Sequence, residues 1–158
     1  MERKLILRAD KVAFMEIGSD FNRMRGFKNL ANAKNPKEYT RQYVDERSEV
    51  TDVVGMSESR EFEFDQYTND PVHNKMVEIF EDEKLGDDAK VSILTVDKNK
   101  DAEENNAILR SYTVIPDASG DGVDAYVYTG RFTAAGPAKA VKATISEDGL
   151  TATVTTGV

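Results

Sequence analysis

From Lys37 to Val54 the chain runs 18 residues without a glycine or a proline. Strand alternation gives neither side of this run an apolar character. Tyr39, Arg41, Tyr43 and Asp45 share one face, and Thr40, Gln42, Val44 and Glu46 share the other. A strand packed on its own sheet core shows one clearly apolar face, so the first half of the run does not read as lying over the chain's own core. Fully extended, it would span roughly 60 Å, against roughly 40 Å for a globule of this length. The run therefore either bends back on itself or projects. A projecting strand leaves backbone donors and acceptors unpaired, a hazard unless another copy pairs with them.

The rest of the chain supports a mainly β reading. Its 15 Val, 7 Ile and 12 Thr outnumber 7 Leu, and β-branched side chains suit a pleated surface. At 158 residues one domain over residues 1–158 is expected. The net charge of −8 argues against nonspecific attraction to nucleic acid, which Lys and Arg would have to supply. That charge is uneven: residues 1–49 carry 11 basic and 8 acidic groups, net +3, whereas residues 58–104 carry 6 and 15, net −9. Complementary fields of this kind steer association and fix register. No apolar stretch approaches a membrane span, and Leu5 to Leu7 is cut short by Arg8, so the expectation is a protein made and kept in the cytoplasm.

Val12 to Ile17 reads as a strand ended by Gly18-Ser19-Asp20, and Phe21 to Asn35 as a less regular segment. Gly55 to Ser59 reads as a turn, followed by a half-buried strand in which Arg60, Phe62 and Phe64 alternate with Glu61 and Glu63. The single helix is expected over about 70–84: Asp70 as N-cap, Pro71 at the first helical position, and Val72, Met76, Ile79 and Phe80 at amphipathic spacing. Val91 to Val96, Ala107 to Ile115, Asp124 to Ala134, Val141 to Ile145 and Thr151 to Thr155 complete seven to nine strands, with Asp148-Gly149 as a hairpin turn. The tract Asp97 to Asn106 reads as a polar loop.

Chemistry is sparse. Without cysteine there is no disulfide, thiolate metal site or cysteine nucleophile. The lone histidine, His73, has no second ligand to join it and reads as structural or exposed. No phosphate-cradling glycine motif or nucleophile elbow is found, and Glu81-Asp82-Glu83 and Asp87-Asp88 read as a solvated helix end. Asp117, Ser119, Asp121 and Gly122 follow the opening spacing of a calcium loop, but its twelfth position is Tyr128 rather than a bidentate glutamate. No enzyme, cofactor or metal is expected.

Several segments together point further. Asn35-Pro36-Lys37-Glu38-Tyr39-Thr40-Arg41-Gln42-Tyr43-Val44-Asp45-Glu46, the strand Glu49 to Val54, Phe62-Glu63-Phe64-Asp65, Asn69-Asp70-Pro71-Val72-His73 and Tyr112-Thr113-Val114-Ile115-Pro116-Asp117 occur in order, and over Val12 to Phe132 the sequence resembles the major tail proteins, or tail tube proteins, of long-tailed, non-contractile bacteriophages and prophages of Gram-positive bacteria. The resemblance implies a β-sandwich with one flanking helix and a long projecting hairpin, assembled into hexameric rings. Rings would stack into a hollow tube through which DNA is ejected without specific binding. The implied partners are further copies of the chain, a tape-measure protein in the lumen, and tail terminator and distal tail or baseplate proteins. No membrane partner is implied. The implied location is the virion tail, assembled in the host cytoplasm.

Within that expectation the lumen is net acidic so that DNA slides. Thr40, Gln42 and Glu46 are the candidate lumen-facing residues. Tyr39, Arg41 and Tyr43, better buried against the sandwich or a neighbour, join Arg23, Arg25 and Lys28 as candidate inter-subunit residues. The competing reading is an immunoglobulin-like or carbohydrate-binding β-sandwich module, against which stand the missing signal segment and the absence of tryptophan. A contractile inner tube would share the architecture but need a sheath.

Overall fold

The computed structural model describes residue 3 and residues 5–98, 104–120 and 124–156. Twelve strands and one α-helix are found among them: β1 (Lys11–Ile17), β2 (Asp20–Arg23), β3 (Phe27–Asn29), β4 (Asn32–Ala33), β5 (Pro36–Arg41), β6 (Val50–Met56), β7 (Ser59–Asp65), α1 (Pro71–Glu81), β8 (Lys90–Asp97), β9 (Asn105–Ser119), β10 (Val127–Ala134), β11 (Lys139–Ile145) and β12 (Thr151–Thr156). The mainly β expectation with one helix holds.

A sandwich is not what these strands make. β1, β8, β9, β11, β12 and β2 pair in turn, all antiparallel, and β2 returns to β1, closing a six-stranded barrel. The 15-residue β9 makes this possible. Its first half pairs with β11 and β8, while its second half leaves the barrel and pairs with β10, which continues to β7 and then to β3 and β4. Closure removes the edges an open sandwich would expose.

Two cores follow from this geometry. A six-stranded barrel is narrow, so its interior takes small side chains beside a few large ones. Ala107, Ala143 and Ala152 sit there with Val12, Phe14, Leu94, Val96 and Val141. The second core lies outside the barrel wall: Met15, Val91, Ile93 and Tyr112 from the wall, Phe62, Phe64, Tyr128 and Phe132 from β7 and β10, and Val72, Met76 and Ile79 from the helix. β1 and β8 therefore send side chains into both cores, Phe14 and Leu94 inward and their neighbours Met15 and Ile93 outward, which explains why apolar residues stand side by side in them.

The helix starts as its sequence dictates. Asp70 Oδ1 accepts from the amides of Val72 (3.0 Å) and His73 (3.3 Å), with Pro71 opening the first turn. It ends at Glu81, one turn short of the expected Lys84. Two other sequence expectations need correction. The irregular tract before Asn35 contains three short strands, whose two to four residues are too brief to show a period. β9 runs past Pro116 to Ser119 rather than stopping at Ile115. A proline has no amide to donate, and the ladder accommodates this one with a bulge opposite Gly130. A Cβ on Gly130 would stand 2.5 Å from the Ile115 carbonyl oxygen and 2.8 Å from Phe62 Cζ, so only glycine fits this close approach.

Candidate assembly surface

The run Lys37 to Val54 is not one strand of 18 residues; it bends at residues 42–49, and β5 and β6 pair antiparallel as a two-stranded sheet of their own. Among the described residues neither strand pairs with any other strand. Apart from Arg41, Val50 and Gly55, which are half-buried, every residue from Pro36 to Met56 is exposed. The expected projecting hairpin is thus present. Both of its outer edges carry unpaired backbone groups, and its faces expose Tyr39, Tyr43, Val44, Val53, Val54 and Met56. An apolar patch exposed on a two-stranded hairpin, itself marginal in water when isolated, marks an interaction surface.

Each face has its own internal order. Thr40 and Thr51 face each other across the ladder, their hydroxyls 3.0 Å apart. On the other face Arg41 ion-pairs with Asp52 (2.5 Å), donates from Nε to the Tyr43 hydroxyl (3.2 Å), and lies over the Tyr39 ring at 5.0 Å. Tyr43 and then Asp52 hold the guanidinium above its usual range. Tyr39 and Tyr43, 55% and 52% exposed, do not pack on the chain's own barrel. Gln42 uses its side-chain amide on the Glu46 and Arg47 carbonyl oxygens (3.1 and 3.2 Å) and so closes the hairpin tip. Thr40, Gln42 and Glu46 are all exposed.

The hairpin is joined to the body by a polar latch that local sequence does not announce. At its root Asn35 holds φ of +46°, a conformation asparagine tolerates better than most residues. Its side-chain amide donates to the Ser57 carbonyl oxygen (2.8 Å) and the Ser59 hydroxyl (3.0 Å). Glu58, read above as part of a turn, is only 3% exposed. Its carboxylate accepts from Arg110 Nη1 (2.6 Å) and the Tyr112 hydroxyl (2.8 Å), with Arg60 Nε at 3.4 Å and Lys34 Nζ at 3.5 Å. Arg110 also donates to the Gly136 carbonyl oxygen (2.8 Å) and Arg60 to the Thr95 hydroxyl (3.0 Å). Burial pushes against ionisation of Glu58, but the Tyr112 hydroxyl and the cations Arg60, Lys34 and Arg110 outweigh it and hold its pKa below the ordinary value. Burial first, and then the neighbouring Glu58, push the Tyr112 hydroxyl up to about 12.

The remaining candidates are spread over the body. Arg23 ends β2, Arg25 is exposed in the following loop, and Lys28 in β3 ion-pairs with Asp65 at 2.9 Å. Lys28 is therefore already engaged within its own chain. His73 is fully buried. Its Nδ1 accepts from the Tyr67 amide (3.0 Å), so Nε2 carries the proton and donates to the Arg25 carbonyl oxygen (2.6 Å), while the ring stacks on Phe64 at 4.8 Å. It ties the Arg25-Gly26 turn to the helix, as the structural reading of this histidine expects. Of the calcium-like spacing, Asp117 and Ser119 lie in β9 and Tyr128 in β10, its hydroxyl 3.2 Å from Glu81 Oε1. Asp121 and Gly122 lie outside the described residues, as do residues 99–103 of the polar loop. Among the described residues no group of three or more His, Asp or Glu side chains is placed to hold a metal ion, and no helix is long and apolar enough to cross a membrane.

No family model matches the sequence, and no curated protein does. The fold has a counterpart among solved structures: a chain of the anti-feeding prophage (AFP) baseplate, determined by cryo-EM and 6-fold symmetrised, superposes with a TM-score of 0.50 at 8% identity, over 89% of this chain and 97% of that one. At that identity the likeness is one of fold.

Proposed function

We propose that this chain is a structural virion protein of a phage-type tail, whose copies join through the β5–β6 hairpin into hexameric rings that stack as the tail tube. The observation that carries the reading is the hairpin itself. It is a two-stranded sheet whose two edges pair with no other strand among the described residues, with Tyr39, Tyr43, Val53, Val54 and Met56 exposed, and edges of that kind are satisfied when neighbouring copies add their strands and the sheet closes. Closure by a heterologous contact generates a ring. The shared fold with a chain from a 6-fold symmetrised prophage baseplate supports this reading, as does the sequence resemblance to tail tube proteins.

In the proposed ring the hairpins line the lumen, with Thr40, Gln42 and Glu46 toward the passing DNA and the Tyr39, Arg41 and Tyr43 face toward a neighbour. Arg23 and Arg25 are further inter-subunit candidates, and Lys28 would contribute only by exchanging its partner Asp65. A tape-measure protein before ejection, and terminator and distal tail or baseplate proteins at the tube ends, complete the proposed partners. The chain acts without catalysis. Negative-stain electron microscopy with light scattering across a concentration series tests the proposal. Hollow rings or tubes are expected, and a compact monomer at every concentration, including after addition of a tail-initiator complex, overturns it.

A further inference from the structure

Outside the hairpin, the most exposed apolar run of the described chain is Leu5-Ile6-Leu7, at 85%, 69% and 57% exposure. Three such residues in a row have no cover within their own chain. In sequence they stand among Arg3, Lys4 and Arg8 with no acid between, net +3 over residues 3–8. One other strongly exposed leucine, Leu85 at 82%, sits in the opposite electrostatic setting. Residues 81–88 hold Glu81, Asp82, Glu83, Asp87 and Asp88 against Lys84, net −4, and all five acids are exposed.

The ladder fixes where these two features lie. β1 and β8 are antiparallel, with Lys11 opposite Asp97 and Met15 opposite Ile93. Residues 5–8 enter at the Lys11 end, whereas residues 81–88 feed into Lys90 at the other end of β8. Seven steps of strand separate those ends, about 23 Å, and Leu5, Ile6, Leu7 and Leu85 are each at least 57% exposed, so the basic apolar segment is not packed on its own acidic segment. A cleft of about 340 Å³ near the same end as Lys11 is lined by Lys11, Asp97, Ile108, Val141 and Lys142. Its lysines make it a poor receiver for a segment bearing three cations.

We propose that copies of this chain join head to tail, the Leu5–Leu7 segment of one copy seated against Leu85 and the surrounding carboxylates of the next. The contact deepens the stacking step of the tube reading, on which it rests for its six-fold repetition. Three exposed aliphatic side chains offer on the order of a few hundred Å², short of the roughly 800 Å² per partner that a stable pairwise complex buries. One contact is therefore weak. Six repeated around a ring act together, because after the first forms the others are effectively intramolecular. Rings stack while single chains stay apart. The charges set polarity, since either end meeting its like brings equal charges together.

The absence of native cysteine allows a direct test on the full chain. Ile6→Cys and Leu85→Cys single variants are mixed and oxidised, and the mixed disulfide is compared with that from Ile6→Cys with Glu147→Cys, an exposed turn position. At least tenfold more cross-linked pair is expected from the first mixture; equal yields overturn the proposal. In parallel, the triple variant Leu5→Ser, Ile6→Ser, Leu7→Ser is expected to keep its melting temperature and its rings while losing stacked tubes. Tubes of wild-type length overturn the proposal. Cross-linking without any ring by microscopy would leave the head-to-tail contact standing and sink the tube reading, whereas rings without preferential cross-linking would do the reverse.

Discussion

The barrel and the β5–β6 hairpin use similar residues to opposite ends. In the barrel, Val12, Phe14, Leu94 and Val96 close against Ala107, Ala143 and Ala152, and every strand has two paired neighbours. In the hairpin, Val53, Val54, Tyr39 and Tyr43 face outward, and each strand has one. The free energy of folding is therefore concentrated in the body, while the apolar surface still available for association is concentrated in the arm. Substitutions should separate the two properties cleanly.

The largest effect is expected inside the barrel. Phe14→Ala removes a fully buried ring and should cost about 3–5 kcal/mol, read as a drop of roughly 10 °C in melting temperature for a chain of this size. A drop of less than 2 °C would mean that the barrel is not the stable unit. Next comes the latch between the two regions. Glu58→Gln leaves Arg60 and Arg110 without their shared counter-charge and should cost about 3 kcal/mol by denaturant titration.

The same substitution carries a pH signature. The folded-state pKa of Glu58 is held below its ordinary 4.5, so its ionised form stabilises the fold at pH above that value, and the contribution is lost as pH falls through the depressed folded value. Wild type and Glu58→Gln should differ by a constant amount above about pH 5 and converge toward acid. A gap that widens as pH falls would overturn this assignment.

On the arm the order of effects reverses. Tyr39→Ser should change monomer stability by no more than about 0.5 kcal/mol, yet reduce assembly at least tenfold by light scattering. Loss of folding instead would show the hairpin to be part of the core. The smallest effect is expected from Asp52→Asn, which breaks only a surface pair with Arg41 and should change stability by less than about 1 kcal/mol; a chemical melt within error of wild type meets this expectation.

Some of this contrast is legible in the sequence. The helix start was readable because Asp70 and Pro71 act within one turn of the amides they serve. β7 was readable because Arg60, Phe62 and Phe64 alternate over a half-buried surface, and the outward role of residues 37–54 because neither face was apolar. Glu58 was not readable. Its partners Lys34 and Arg110 lie 24 and 52 residues away, and a glutamate beside a turn usually marks a solvated surface.

Local chemistry in the chain determined the β-rich composition, the single helix and its cap, the Asp148-Gly149 turn, and an extended segment unsuited to covering its own core. Each of these depends on residues a few positions apart, where backbone preference and side-chain period decide. Tertiary structure alone decided that the strands close into a barrel rather than face each other as a sandwich, because closure depends on β9 serving two sheets and on β2 meeting β12 across most of the chain. It also decided that Leu5–Leu7 and the acidic segment about Leu85 lead into opposite ends of the β1–β8 pair, since strand register, which pairs Lys11 with Asp97, is a long-range property that no local pattern encodes.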